Sequence, residues 1–163
     1  LLRRAIIQSD NVAVATLNRQ LGYAEIEQVF REIGVDYKIR QKEELEMTVK
    51  NYASFFRLLY NASYLNRDSS EYALGLLAQT SFRDGLVAGV GEGVAVAHKF
   101  GERYYATEPA ESARQLHDCG IIYFPQRPYL LCVMTKGADL SSLQQVIASV
   151  SRTIYQEAKH RFK

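Results

Sequence analysis

Two short clusters in this 163-residue chain hold side chains able to carry a proton or fix a polar ligand: Ser9-Asp10-Asn11 and His98-Lys99-Phe100-Gly101. By type, the first offers a hydroxyl, a carboxylate and a carboxamide, and the second an ammonium beside a glycine. Each also has a plain structural account. Ser9 and Asp10 are residues that cap helix starts, because their oxygens accept from the first unpaired N–H groups. Lys99 suits an edge strand, where its stem covers apolar surface while its ammonium reaches water. His98 has neighbours that alternate in and out along a strand, and it is given no catalytic role. His117 and His160 lack metal-ligand spacing to a cysteine or carboxylate, so neither a metal nor another cofactor is expected. Cys119 and Cys132 are too few for a disulfide framework. They flank a hairpin but fall offset in it, so two free, mostly buried thiols are expected, with a single bridge between adjacent strands as the lesser alternative.

The elements that must position these residues follow from hydrophobic periodicity. The first half reads as helices over 1–8, 12–21, 23–33, 49–62 and 69–79. Gly22 and Gly34 stop the second and third, and Thr48 caps the fourth. Tyr52, Phe55, Phe56, Leu59 and Tyr60 form the buried side of the fourth, and Tyr72, Ala73, Leu76 and Leu77 that of the fifth. The charged stretch VDYKIRQKEELEM, 35–47, reads as a loop. In the second half, glycines punctuate short β-branched runs, which suits strands and tight turns. Strands are predicted over 94–100, 120–124 and 129–135, the last two joined through Pro125-Gln126-Arg127-Pro128. A polar stretch, 102–118, separates the first strand from this hairpin. A long amphipathic helix begun by Asp139 covers 140–162, with Leu143, Val146, Ile147, Val150, Ile154 and Ala158 in register. The layout is α+β within one domain, with 1–84 as a helical lobe and 85–163 as three strands plus a C-terminal helix.

Composition narrows the class. Hydrophobic residues make up 47% and charged residues 23% of the chain, ordinary values for a globular protein that can bury a core. A net charge of +2 with scattered Lys and Arg argues against a nucleic-acid or anionic-membrane partner. No apolar run is long enough to span a bilayer. The chain opens at Leu1 inside an apolar run with no cap before it, which leads us to expect that upstream chain, with any targeting segment, has been removed.

What links the two clusters is their order. Ser-Asp-Asn opens a helix among helices, and ninety residues later Lys-Phe-Gly lies on a strand that begins a hairpin ahead of the terminal helix. This arrangement resembles the class A β-lactamases and related penicillin-binding proteins. In those proteins a Ser-x-x-Lys helix, a Ser-Asp-Asn loop and a Lys-Thr-Gly strand line one cleft. LLRRAIIQSDNVAVATLNRQLG is similar to that family's helix–loop–helix, DGLVAGVGEGVAVAHKFGE to the approach to its Lys-Thr-Gly strand, and CGIIYFPQRPYLLCVMTKG to the hairpin that follows. The resemblance covers nearly the whole chain and implies a β-lactamase/transpeptidase-like fold, incomplete here. It also implies an extracytoplasmic protein acting on β-lactam or peptidoglycan-peptide-like amides.

Acyl transfer from an amide requires a nucleophile, a proton shuttle, an oxyanion hole and groups that hold the substrate. The resemblance implies that Ser9 relays a proton to the leaving nitrogen and that Lys99, facing the same cleft, holds the field positive. It gives Asn11 the amide carbonyl of the substrate, Gly101 close approach of the substrate backbone, and the Glu102 N–H one oxyanion contact. Asp10 is assigned a structural task at the helix start. Three departures qualify these roles. No Ser-x-x-Lys occurs: Ser54 is followed by Arg57, Ser63 by Asn66 and Ser149 by Arg152, so the chain alone is not expected to acylate. Phe100 replaces the threonine whose hydroxyl helps hold a substrate carboxylate. Aligning on Leu45 puts Lys42 where class A enzymes carry the deacylating glutamate and Glu46 at the following asparagine, with Glu43 or Glu44 fitting only after a register slip. That favours a penicillin-binding or peptidase-like ancestor over an efficient β-lactamase. The rival reading is a degenerate binding or scaffold domain on the same fold. The expected partners are a small-molecule or peptide amide, and either the missing N-terminal segment or a second copy. Either would cover faces rich in Phe55, Phe56, Leu59, Leu76 and Leu77 that are expected to be partly open to water.

Overall fold

The computed structural model describes residues 1–35, 38–40, 44–104 and 114–162. They form two compact units that divide between Gln79 and Thr80.

The first unit holds α1 (Leu2–Ile7), α2 (Asn11–Leu21), α3 (Tyr23–Glu32), β1 (Lys38–Arg40), β2 (Glu44–Glu46), α4 (Val49–Asn61) and α5 (Arg67–Leu77). Side-chain caps set most of the boundaries. Asp10 accepts from Val12 and Ala13 N–H at the start of α2, and Thr48 from Asn51 N–H at the start of α4. Asn66 accepts from Ser69 N–H, which moves the start of α5 two residues ahead of the expected Ser69. Gly22 stops α2 with φ +87°, a backbone angle that a side chain disfavours. The 35–47 stretch is not simply a loop. β1 and β2 pair antiparallel, with Ile39 opposite Leu45, Lys38 opposite Glu46 and Arg40 opposite Glu44. Two polar–apolar–polar triplets, Lys38-Ile39-Arg40 and Glu44-Leu45-Glu46, carry the strand period.

Ala13, Phe56, Leu74, Leu76 and Leu77 are buried in this unit. The Phe30 and Phe55 rings meet edge to face at 5.6 Å, as do those of Tyr52 and Phe56 at 6.0 Å. The expectation that Phe56, Leu76 and Leu77 lie open to water is therefore overturned. Tyr60 and Tyr72, expected on buried sides, are exposed, and so are Val12, Val14, Leu21 and Tyr23. The amphipathic period located the helices but not the width of their buried stripes.

The second unit holds a 3-10 turn (Leu86–Gly89), β3 (Val96–Tyr104), β4 (Arg114–Ile122), β5 (Tyr129–Gly137) and α6 (Leu140–Arg161). The strands form an antiparallel sheet in the order β3-β4-β5. Both β3 and β4 run into the stretch expected to be a polar linker, because its polar residues alternate with Leu116 and so satisfy the strand period. Phe124 C=O accepts from Arg127 N–H across Pro125-Gln126, with Gln126 at φ +60°, the geometry of a type II turn. This turn sets the β4–β5 register, in which Ile122 faces Tyr129 and Cys119 faces Cys132 directly. The two cysteines form a disulfide, which corrects the expectation of offset, free thiols.

One sheet face packs under α6 and the 3-10 turn. The core there is Leu86, Val96, Leu116, Ile122, Leu143 and Ile147, joined by Phe82, Phe100 and Val133. The buried stripe of α6 runs through Leu143, Ile147, Ser151 and Tyr155, while Val146, Val150 and Ile154 are exposed, contrary to the single apolar register expected. The turn approaches α6 so closely that a Cβ at Gly89 would collide with Ser151.

Two measurements test this packing. Ile147→Ala is expected to lower the free energy of unfolding by about 2–5 kcal/mol. Val146→Ala, one position along, is expected to cost about 0.5 kcal/mol or less. Equal effects in urea unfolding would place the buried stripe wrongly. For the cysteines, a thiol reagent is expected to find no free thiol in the unfolded, unreduced chain and both thiols after reduction; reaction before reduction would remove the disulfide.

Candidate functional site

Within the first unit, Ser9 sits between two helices and holds the left-handed backbone region at φ 51°, unusual for a residue with a side chain. Gln8 and Asp10 both direct their N–H to Arg4 C=O, which closes α1 and turns the chain through Ser9. The cap of α2 belongs to Asp10, not Ser9. Its Oδ1 accepts from Val12 N–H at 2.9 Å and Ala13 N–H at 3.0 Å. Its Oδ2 accepts from Arg4 Nε at 2.9 Å and also from Nη2. The Ala13 N–H, and then the Arg4 guanidinium, hold the Asp10 carboxyl below its ordinary value. Asn11 is the first residue of α2 and is exposed. The local sequence thus builds a tight, charge-reinforced corner that fixes the backbone on either side of Ser9.

Within the second unit, Lys99, Phe100, Gly101 and Glu102 follow one another on β3, an edge strand of the described sheet. Strand alternation puts Lys99 and Gly101 on one face, and Phe100 and Glu102 on the face that carries the α6 core. Lys99 is partly buried, and this desolvation lowers the pKa of its ammonium, with the Asp118 charge acting in the opposite sense. Its Nζ donates to Phe100 C=O at 2.9 Å and lies 4.7 Å from the Phe100 ring centroid. Phe100 stacks on Phe82 with centroids 4.4 Å apart, so its ring is held by the core. At Gly101 a Cβ would meet nothing within 4 Å, so packing does not require a glycine there. The Glu102 side chain accepts from Arg114 Nη1 at 3.2 Å, an exposed pair across β3 and β4.

A pair that sequence reasoning missed lies directly behind Lys99. His98 and Asp118 are both buried, with Nδ1 and Oδ1 2.8 Å apart. Asp118 Oδ2 also accepts from Leu86 N–H at 2.9 Å, and His98 C=O accepts from Thr80 Oγ1 at 2.7 Å. The available signal was Asp118 itself, a carboxylate directly preceding the apolar run 119–124. Its partner, twenty residues away, leaves no trace in local spacing. His117 is half-buried, and burial pushes its pKa down. Among the described residues no group of three or more His, Cys, Asp or Glu is arranged to hold a metal ion, and no helix is long and apolar enough to cross a membrane. Lys42 and Glu43 lie outside the described residues.

Comparison with known proteins places these features in context. The model of the beta-lactamase enzyme family matches residues 1–158. No curated protein matches the chain. Among solved structures, PBP-A is 25% identical with a TM-score of 0.81, over 97% of this chain and 60% of that one. A β-lactamase from Chitinophaga pinensis is 21% identical (TM-score 0.81, 96% and 63%). A class A β-lactamase from Bacteroides cellulosilyticus is 17% identical (TM-score 0.84, 97% and 62%). The chain therefore spans about three fifths of the length of these neighbours.

The Asp10 corner has a defined pH signature. Because its folded pKa is depressed, its contribution is present above the ordinary value of 3.8 and is lost as pH falls through the lower folded value. Carboxyl 13C titration is expected to give an Asp10 midpoint below 3.8 that rises in Arg4→Ala. A midpoint at 3.8 that ignores the substitution would dissolve the Arg4–Asp10 link.

Proposed function

The chain belongs to the beta-lactamase enzyme family, and from that premise we propose that it is the motif-bearing part of a serine acyl-transferase acting on β-lactam or peptidoglycan-peptide-like amides. The family match over residues 1–158 carries the reading, because it spans both clusters. In this reading Ser9 relays a proton to the leaving nitrogen, and Lys99 keeps the local field positive. Asn11 holds an amide carbonyl, and the Glu102 N–H contributes an oxyanion contact. Two features of β3 support a peptide-like substrate. As an edge strand of the described sheet it offers a side along which an extended amide chain can lie, and the space at Gly101 leaves the sheet face open there. A lysine whose ammonium is part-desolvated on such a strand is also the kind of perturbed group that active sites use.

The nucleophile in this reading comes from polypeptide outside these 163 residues, since no serine here has a lysine three positions on. The required partner is that polypeptide or a second copy, and the exposed Val12, Val14, Leu21 and Tyr23 of the helical unit supply apolar surface for either. The Cys119–Cys132 disulfide favours an extracytoplasmic setting, where such bonds persist. One neighbour, a PBP-A variant, was solved as an acyl-enzyme complex with penicillin G. We extend the acylation step to the complete polypeptide, but not efficient turnover, because the alignment on Leu45 puts Lys42 at the position of the deacylating glutamate. A second reading, a binding domain without chemistry, draws on Phe100. Its ring is stacked into the core at the position where the family carries a substrate-holding hydroxyl.

A fluorescent penicillin followed by intact mass spectrometry separates these readings. The polypeptide of the complete reading frame is expected to gain one adduct on a Ser-x-x-Lys serine, and the 163-residue chain alone is expected to gain none. An adduct on Ser9 would replace its relay role with that of a nucleophile. Saturable binding with no adduct on either polypeptide would favour the binding domain.

A further inference from the structure

We propose that His98 and Asp118 are positioning residues for Lys99: they lock β3 to β4 and to the Leu86 turn, and set a fixed carboxylate behind the ammonium. The inference rests on the reading of Lys99 as the cation that faces substrate. His98 and Asp118 are 1% and 0% exposed, and the short Nδ1···Oδ1 contact makes Nδ1–H the donor to the carboxylate. The second carboxylate oxygen accepts from Leu86 N–H, so one side chain ties two strands and a turn. Thr80 adds a hydroxyl to the His98 carbonyl, at the peptide that leads into Lys99. Two glycines clear the space. A Cβ at Gly85 would fall on Asp118 Oδ2, and one at Gly120 on His98 Cβ.

A buried carboxylate–imidazole pair is not a strong source of stability, because desolvation offsets the attraction. Apolar residues would pack this face as well, and His98 Nε2 has no hydrogen-bond partner there, a further cost of keeping the imidazole. What a hydrocarbon pair would not supply is a charge. Lys99 follows His98 directly and points to the other face, and register sets it opposite Cys119, the neighbour of Asp118. The Asp118 charge nonetheless acts on the ammonium, counteracting the desolvation of Lys99. Other ionisable side chains on the pair's sheet face are Glu102 and Tyr104 on β3, Arg114 on β4 and Tyr129 on β5, while the face of Lys99 carries Arg103, His117 and Lys136. The α6 stripe adds Tyr155, and the Leu86–Gly89 turn adds none.

NMR of the chain labelled at lysine and histidine tests the proposal. Asp118→Asn is expected to lower the Lys99 titration midpoint by about one unit, tenfold in proton affinity. His98→Gln keeps a donor and the Asp118 charge, and is expected to leave the midpoint near that of the unmutated chain. A merely structural pair would give no difference between the two folded variants, and that result overturns the proposal. If Asp118→Asn does not fold, the imidazole 15N shifts of the unmutated chain decide: a single Nδ1–H tautomer is expected, and a ring exchanging between tautomers overturns it. Adding penicillin G to the complete polypeptide reports separately on the substrate reading. Lys99 signals that respond to Asp118→Asn but ignore the ligand retain the positioning pair and remove the substrate role.

Discussion

Leu86 is the point at which the second unit is held together. Its side chain is fully buried between sheet and helix, its N–H is taken by Asp118 of β4, and its carbonyl accepts from Ser151 of α6. A 3-10 turn satisfies few of its own backbone groups, and buried ones must find partners. Here the partners come one from the sheet and one from the helix. The turn therefore fixes how far α6 stands from the strands, which is why no side chain fits at Gly89 and why Leu143 and Ile147 meet Val96, Leu116 and Ile122 in one core. The same carboxylate that receives the turn also holds His98. The strand bearing Lys99 is thus tied to the node by a hydrogen bond rather than by apolar contact alone.

The first unit is organised differently. Its helices are short, and their limits are set locally by Asp10, Thr48 and Asn66 at the starts and by left-handed residues at several ends. Short helices gain little from propensity alone, so caps and packing decide where they run. Ser9 is the clearest consequence. With α1 closing on Arg4 and α2 opening on Asp10, the residue between them is left with a constrained backbone at positive φ.

Phe100 shows how one position can alter chemistry without altering the fold. In the family pattern the residue between Lys and Gly carries a hydroxyl; here a ring extends the core through Phe82 and lies against the Lys99 ammonium. Phe100 sits in an unbroken β3–β4 register, opposite Asp118.

The amino-acid sequence determined the element types, the antiparallel hairpin, the terminal helix begun at Asp139 and the two motif clusters, because period, caps and turn residues act over a few positions. It misled where the decision was made at longer range. The charge of 35–47 hid two strand triplets. The apolar count on α6 did not reveal that Val146, Val150 and Ile154 face outward while Ser151 turns in to reach Leu86. Cys119 and Cys132 face each other only because the Pro125-Gln126 turn sets a register that spacing alone does not give. The pairing of His98 with Asp118, and so the anion behind Lys99, was decided entirely by tertiary structure, since it depends on two strands being paired and on a turn arriving to share the carboxylate.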